Sequence, residues 1–97
     1  MNEIARFLSR FPPFDHLSPE LLDRVAAGAT VRRCAAGEDV FIEDGPPVED
    51  LYVVYRGSLE LRHDEEVIDI LEPGECFGHL SLLTGMAPAF KIGRAHV

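Results

Sequence analysis

Apolar positions fall at helical spacing only in the first quarter of the chain. Ile4, Phe7, Leu8 and Phe11 recur with Glu3, Arg6 and Ser9 between them, which predicts a short amphipathic helix ended by Pro12-Pro13. A second helix is better marked. Ser18 suits the N-cap, Pro19 the first helical position, Glu20 the positive end of the helix dipole and Gly28 the C-cap, with Leu21, Leu22, Val25 and Ala26 as the expected buried stripe.

Beyond Gly28 the periodicity changes from helical to short β-like runs. Strands are expected near Ala29–Cys34, Val40–Glu43, Leu51–Tyr55, Leu59–His63 and Val67–Leu71, separated by Ala36-Gly37-Glu38, Asp44-Gly45-Pro46-Pro47, Arg56-Gly57-Ser58, His63-Asp64-Glu65-Glu66 and Glu72-Pro73-Gly74-Glu75. Leu51–Tyr55 lacks alternation and should be covered on both faces, whereas Leu59-Glu60-Leu61-Arg62 alternates and should keep one face wet. No helical segment separates the strands. The expected fold is therefore mainly β with short flanking helices (α+β), an antiparallel β-roll or jelly roll.

Composition narrows the partners. The 97 residues are enough for one small domain, and 46% hydrophobic content excludes a disordered chain. With 9 Lys and Arg against 17 Asp and Glu, the net charge of −8 would repel a nucleic-acid backbone, so direct nucleic-acid binding is not expected. An anionic ligand would need a local site. The longest purely apolar run is Leu51–Tyr55, so no membrane partner is expected. Cys34 and Cys76 show no C-x-x-C spacing and no signal peptide precedes them, which suits reduced, buried thiols and a cytoplasmic setting.

The candidate chemistry lies in Pro73-Gly74-Glu75-Cys76-Phe77-Gly78-His79-Leu80-Ser81-Leu82-Leu83-Thr84-Gly85. A strand ending in Phe77-Gly78 leads into a short helical turn. Gly78 permits close backbone approach, and the N–H groups of His79, Leu80 and Ser81 at the helix start would suit a phosphate. A glycine turn that merely caps a barrel fits the same residues.

In its wider context this stretch resembles the phosphate-binding cassette of the cyclic nucleotide-binding domain family. Gly37, Phe41, Gly45, Leu51-Tyr52-Val53-Val54, Gly57-Ser58, Pro73-Gly74 and Phe77-Gly78 stand in the order of that family's turns and strands, and the likeness runs from about Phe7 to Phe90. The resemblance implies a β-roll with outer helices, holding a cyclic nucleotide or other phosphorylated ligand rather than a permanent cofactor. It also implies a regulatory role without catalysis.

Two departures bear on that site. Where the family usually has Glu after Phe-Gly, to accept the ribose hydroxyl, this chain has His79. Where the family usually has the phosphate-neutralising Arg, this chain has Pro88, followed by Ala89. A charge-assisted hydrogen bond is worth roughly 1.5–3 kcal/mol, so its loss would weaken a phosphate ligand about ten- to a hundredfold. The candidate ligand-binding residues are thus Gly78, His79, Leu80, Ser81, Pro88 and Ala89, in a degenerate cassette.

The form Phe-Gly-His-x-Ser-Leu-Leu-Thr-Gly followed by Pro-Ala-Phe is similar to a subgroup that heads bacterial signalling proteins. That likeness implies CBS domains and a nucleotidyltransferase-like domain as C-terminal effectors. The family continues with further strands and a lid helix, whereas this chain closes on Lys91-Ile92-Gly93-Arg94-Ala95-His96-Val97. Those seven residues read as an in-frame translation of a sequencing-library adapter. The expectation is a partial domain over 1–90, incomplete at its C-terminal end, with a non-native, adapter-derived tail over 91–97 that is left out of the reading of the fold.

Other classes fit less well. Gly57 and His63 match the opening of a cupin metal motif, but Glu65 stands where its second histidine belongs, so His63 is expected to be a solvated strand-end residue and no metal is expected. Cys76 and His79 suggest a thiol–imidazole pair, but Glu75 disfavours a thiolate and a buried cysteine is expected instead. A module of the same fold that binds no nucleotide and serves as a docking surface remains an alternative.

Overall fold

The computed structural model describes residues 2–96, so Met1 and Val97, the ends of the two expected segments, lie outside the described residues. The chain divides into two compact units, Met1–Arg32 and Arg33–Val97.

The first unit holds α1 (Glu3–Leu8), a 3-10 turn (Phe14–His16) and α2 (Pro19–Ala27). Asn2 caps α1 by accepting the Ala5 N–H at 2.7 Å, and Ser9 closes it, three residues before the prolines. Phe11 therefore lies beyond the helix and meets Phe7 ring to ring at 5.0 Å. α2 has the expected ends: the Ser18 hydroxyl accepts the Leu21 N–H, Pro19 opens the helix and Gly28 caps it. Its buried stripe is narrower than expected. Leu22 and Ala26 are buried, while Leu21 and Val25 are exposed. Packing of α1 on α2 covers one i, i+4 row, and the neighbouring row, about 100° around the helix, stays outside.

The second unit is antiparallel throughout. Its strands are β1 (Asp39–Phe41), β2 (Tyr52–Val53), β3 (Leu59–His63), β4 (Glu66–Leu71), β5 (Cys76–Phe77) and β6 (Lys91–Gly93), with α3 (His79–Thr84) between β5 and β6. A four-stranded sheet has the order β1-β6-β3-β4, and β2 pairs with β5 in a second, two-stranded sheet. This is the mainly β roll with short flanking helices expected from the strand spacing.

Three expectations for individual strands are corrected. Ala29–Cys34 forms no strand, and Ala29–Arg33 are exposed. A run of six residues with β propensity has no reason to extend without a ladder partner. Leu51–Tyr55 shrinks to β2 and is not covered on both faces: Val54 is buried but Leu51 is exposed. In β3, Leu59 and Leu61 pack on the core as expected, but the Glu60–Arg62 face is half-buried because these two side chains pair with each other on an inner strand. On the edge strand β4, Val67, Ile68 and Ile70 are exposed and only Leu71 is buried. An extra residue in β4, opposite the Leu61/Arg62 step, shifts the register there.

The core gathers Val54, Leu71, Phe77 and Ile92, with Phe41 and Tyr52 packed against it. Ile92, 3% exposed, belongs to the 91–97 segment left out of the reading of the fold. Lys91–Gly93 run between β1 and β3, pairing Leu61 with Ile92 and Asp39 with Gly93. Both cysteines are free and half-buried rather than fully buried.

Candidate functional site

Within the second unit the cassette begins where β5 turns into α3. Tyr52 stacks on Phe77 across the β2–β5 ladder, ring centroids 5.1 Å apart and planes 14° from parallel, and Phe41 tilts against both. Gly78 then turns the chain with φ +80°, a left-handed conformation that side chains disfavour. A Cβ at this position would lie 3.2 Å from Val48 Cγ1 and 3.4 Å from both Phe41 and Tyr52 ring atoms. Glycine is thus needed for its backbone and for its lack of bulk.

α3 has no side-chain cap, and its first intrahelical bond runs from the Leu82 N–H to the Gly78 carbonyl. The N–H groups of His79, Leu80 and Ser81 precede that bond and lack intrahelical acceptors, as at any helix start. The side chains part company. His79 and Leu80 are exposed, whereas Ser81 is the buried polar residue of the described chain, at 6% exposure. Its hydroxyl accepts the Val48 N–H at 2.9 Å and donates to the Met86 carbonyl. Ser81 therefore shapes the cassette with its side chain and has only its backbone N–H to offer a ligand.

Pro88 is buried and Ala89 exposed. The Pro88 carbonyl accepts the Asp44 N–H at 3.0 Å, so the two ends of the cassette are tied to the same 44–48 loop, Ser81 through Val48 and Pro88 through Asp44. Sequence reasoning missed Asp44 and Val48 as partners. Their contribution is a main-chain N–H, which leaves no trace in residue type.

The sequence around the turn offers an anion no positive charge. Between Arg62 and Lys91 the chain carries no Lys or Arg, while Glu72 and Glu75 precede the cassette. The concavities of this unit include a depression of about 500 Å³ lined by Phe41, Val48 and Tyr52 with Asp39, Glu49 and Asp50, and one of about 290 Å³ around Asp39, Arg62, Lys91 and Arg94. Neither is lined by Gly78, His79, Leu80, Ser81, Pro88 or Ala89. The cassette itself is a surface turn whose donors are backbone amides.

Burial pushes the Cys76 thiol pKa up, which keeps it protonated and unreactive on β5. His63, at the tip of the β3–β4 hairpin, is half-exposed and faces two carboxylates: its Nδ1 lies 3.2 Å from Glu43 Oε2 and its Nε2 3.4 Å from Asp64 Oδ2. No helix among the described residues is long and apolar enough to cross a membrane.

The architecture is an antiparallel β-roll with a glycine-led turn and a short helix after its fifth strand. The comparisons are specific: the cyclic nucleotide-binding domain family matches residues 31–92, and the chain belongs to that family. Among solved structures it is similar to a cyclic nucleotide-binding-like protein from Brucella abortus, at 25% identity and a TM-score of 0.75, covering 99% of this chain and 84% of that one. It also shares the fold of the regulatory domain of Toxoplasma gondii PKA, solved with cAMP, at 24% identity and a TM-score of 0.70; 98% of this chain covers 40% of that one. No curated protein matches the sequence.

Proposed function

We propose that this domain is a ligand-sensing regulatory module, not a catalyst, that takes a cyclic nucleotide or related phosphorylated ligand on the cassette Gly78–Ser81, with Pro88 and Ala89 at its far end. The observation that carries this reading is the family match over residues 31–92, which includes the left-handed Gly78 turn and the helix start without a side-chain cap that follows it. A backbone site without a cationic side chain implies weak binding, since the amides supply directional donors but no net charge. The Phe77-Gly78-His79 form supports CBS and nucleotidyltransferase-like effector domains as the receivers of the signal. Ligand would then act as a coupling free energy, favouring one docking of those domains over another.

Calorimetry with cyclic AMP, cyclic GMP and linear 5′-nucleotides tests the proposal. Weak saturable heat from a cyclic nucleotide is expected, retained in His79→Ala and lost in His79→Pro. Proline is tolerated at a first helical position but deletes the N–H. Silence from every nucleotide at millimolar concentration would overturn the sensor reading. It would favour the second reading, a docking module, for which Leu80 at 63% and Leu83 at 80% exposure on α3 offer an apolar face.

A further inference from the structure

We propose that Glu43, His63 and Asp64 form a binding site for a divalent transition-metal ion of the zinc or nickel type. The three residues come from two segments, the chain just after β1 and the tip of the β3–β4 hairpin, yet one donor atom from each lies within 4.8 Å of the other two. The His63 Nδ1 to Glu43 Oε2 separation of 3.2 Å matches the roughly 3.3 Å between neighbouring ligands of a tetrahedral ion bound at about 2.0–2.1 Å. Asp64 Oδ2 now faces the other ring nitrogen, Nε2, at 3.4 Å, so an ion on Nδ1 and Glu43 Oε2 would recruit Asp64 by a swing of its exposed side chain.

Two of the three ligands, Glu43 and His63, are also held in place. Glu43 uses Oε1 to accept the Asp64 N–H at 3.1 Å, which leaves Oε2 turned toward the imidazole. Phe90 meets the His63 ring edge-on, centroids 5.9 Å apart and planes at 74°, which restricts the ring's rotation. Such supporting contacts raise metal affinity because the ion does not have to order its ligands. One imidazole nitrogen with two carboxylates selects zinc or nickel over magnesium or calcium, which prefer all-oxygen shells, and the two negative charges offset the ion's charge. The remaining positions face solvent and would hold water.

The test is titration of zinc chloride and, separately, nickel chloride into the isotope-labelled full chain, followed by amide NMR and calorimetry. Saturable shifts or broadening centred on residues 43, 63 and 64 are expected, with affinity roughly tenfold or more weaker in His63→Ala and Glu43→Gln. His16→Ala, at an exposed histidine beside Asp15 in the first unit, should leave the binding unchanged. Because His63 ends a hairpin strand and Glu43 lies in the loop after β1, neither in the core, both variants should fold, and the untitrated spectrum reports this directly. Binding that persists in His63→Ala, perturbations centred on Cys34 or Cys76, or equal shifts with magnesium chloride would each overturn the proposal.

Discussion

The Ser81 hydroxyl accepts the Val48 amide N–H across 33 positions of sequence, and that one contact fastens the cassette helix to the 44–48 loop. Because the same hydroxyl donates to the Met86 carbonyl, Ser81→Ala would leave a buried donor and an acceptor unmatched together. A loss of about 1–3 kcal/mol is expected, read as a lower midpoint in urea unfolding. An unchanged midpoint would show that water replaces the hydroxyl.

Gly78→Ala should cost more than Gly57→Ala. Both residues have left-handed φ, +80° and +74°, so each replacement carries a backbone penalty of roughly 1–2 kcal/mol. Only at Gly78 would the new methyl meet Val48, Phe41 and Tyr52; at Gly57 it enters open space. Comparing the two thermal midpoints isolates the close approach, and equal losses would refute it.

Ile92 anchors β6 in the core, so Ile92→Ala should destabilise the second unit by about 2–5 kcal/mol. The measurement is hydrogen exchange of the β1 and β3 amides, whose ladders with β6 would open more often. Protection unchanged by the substitution would mean that Lys91–Gly93 do not hold the sheet.

The Cys76 thiol should alkylate slowly at neutral pH, with an inflection above the ordinary thiol pKa of about 8.5. Burial raises the pKa in the folded chain, so folding favours the protonated form. The associated stability is present below the unfolded thiol's pKa and declines as pH rises through the folded one. Iodoacetamide kinetics against pH, followed at Cys76 by peptide mapping, measure this. An inflection at or below the ordinary value would contradict the burial.

Local signals were legible wherever the structure relies on local chemistry. The ends of α2 follow from Ser18, Pro19 and Gly28, because caps satisfy a helix's own first and last turns. The hairpin β3–β4 and the Phe77-Gly78 entry into α3 follow in the same way from alternation and from glycine. Val31 misled because β propensity says what fits a sheet, not whether a partner strand is in reach, and its segment has none. Leu21 and Val25 misled because a helical stripe shows which residues share a face, not how much of that face a neighbour covers.

The amino-acid sequence by itself determined the family, the turns and strands from β1 to β5, and the glycine that opens α3. Each depends on residue type and spacing, and each survives in the folded chain. Tertiary structure alone decided that Ser81 is spent on Val48, that Pro88 is held by Asp44, that Ile92 completes the sheet, and that His63 lies between Glu43 and Asp64. These are contacts between distant segments, several made through main-chain groups that every residue shares, so no local pattern of side chains could announce them.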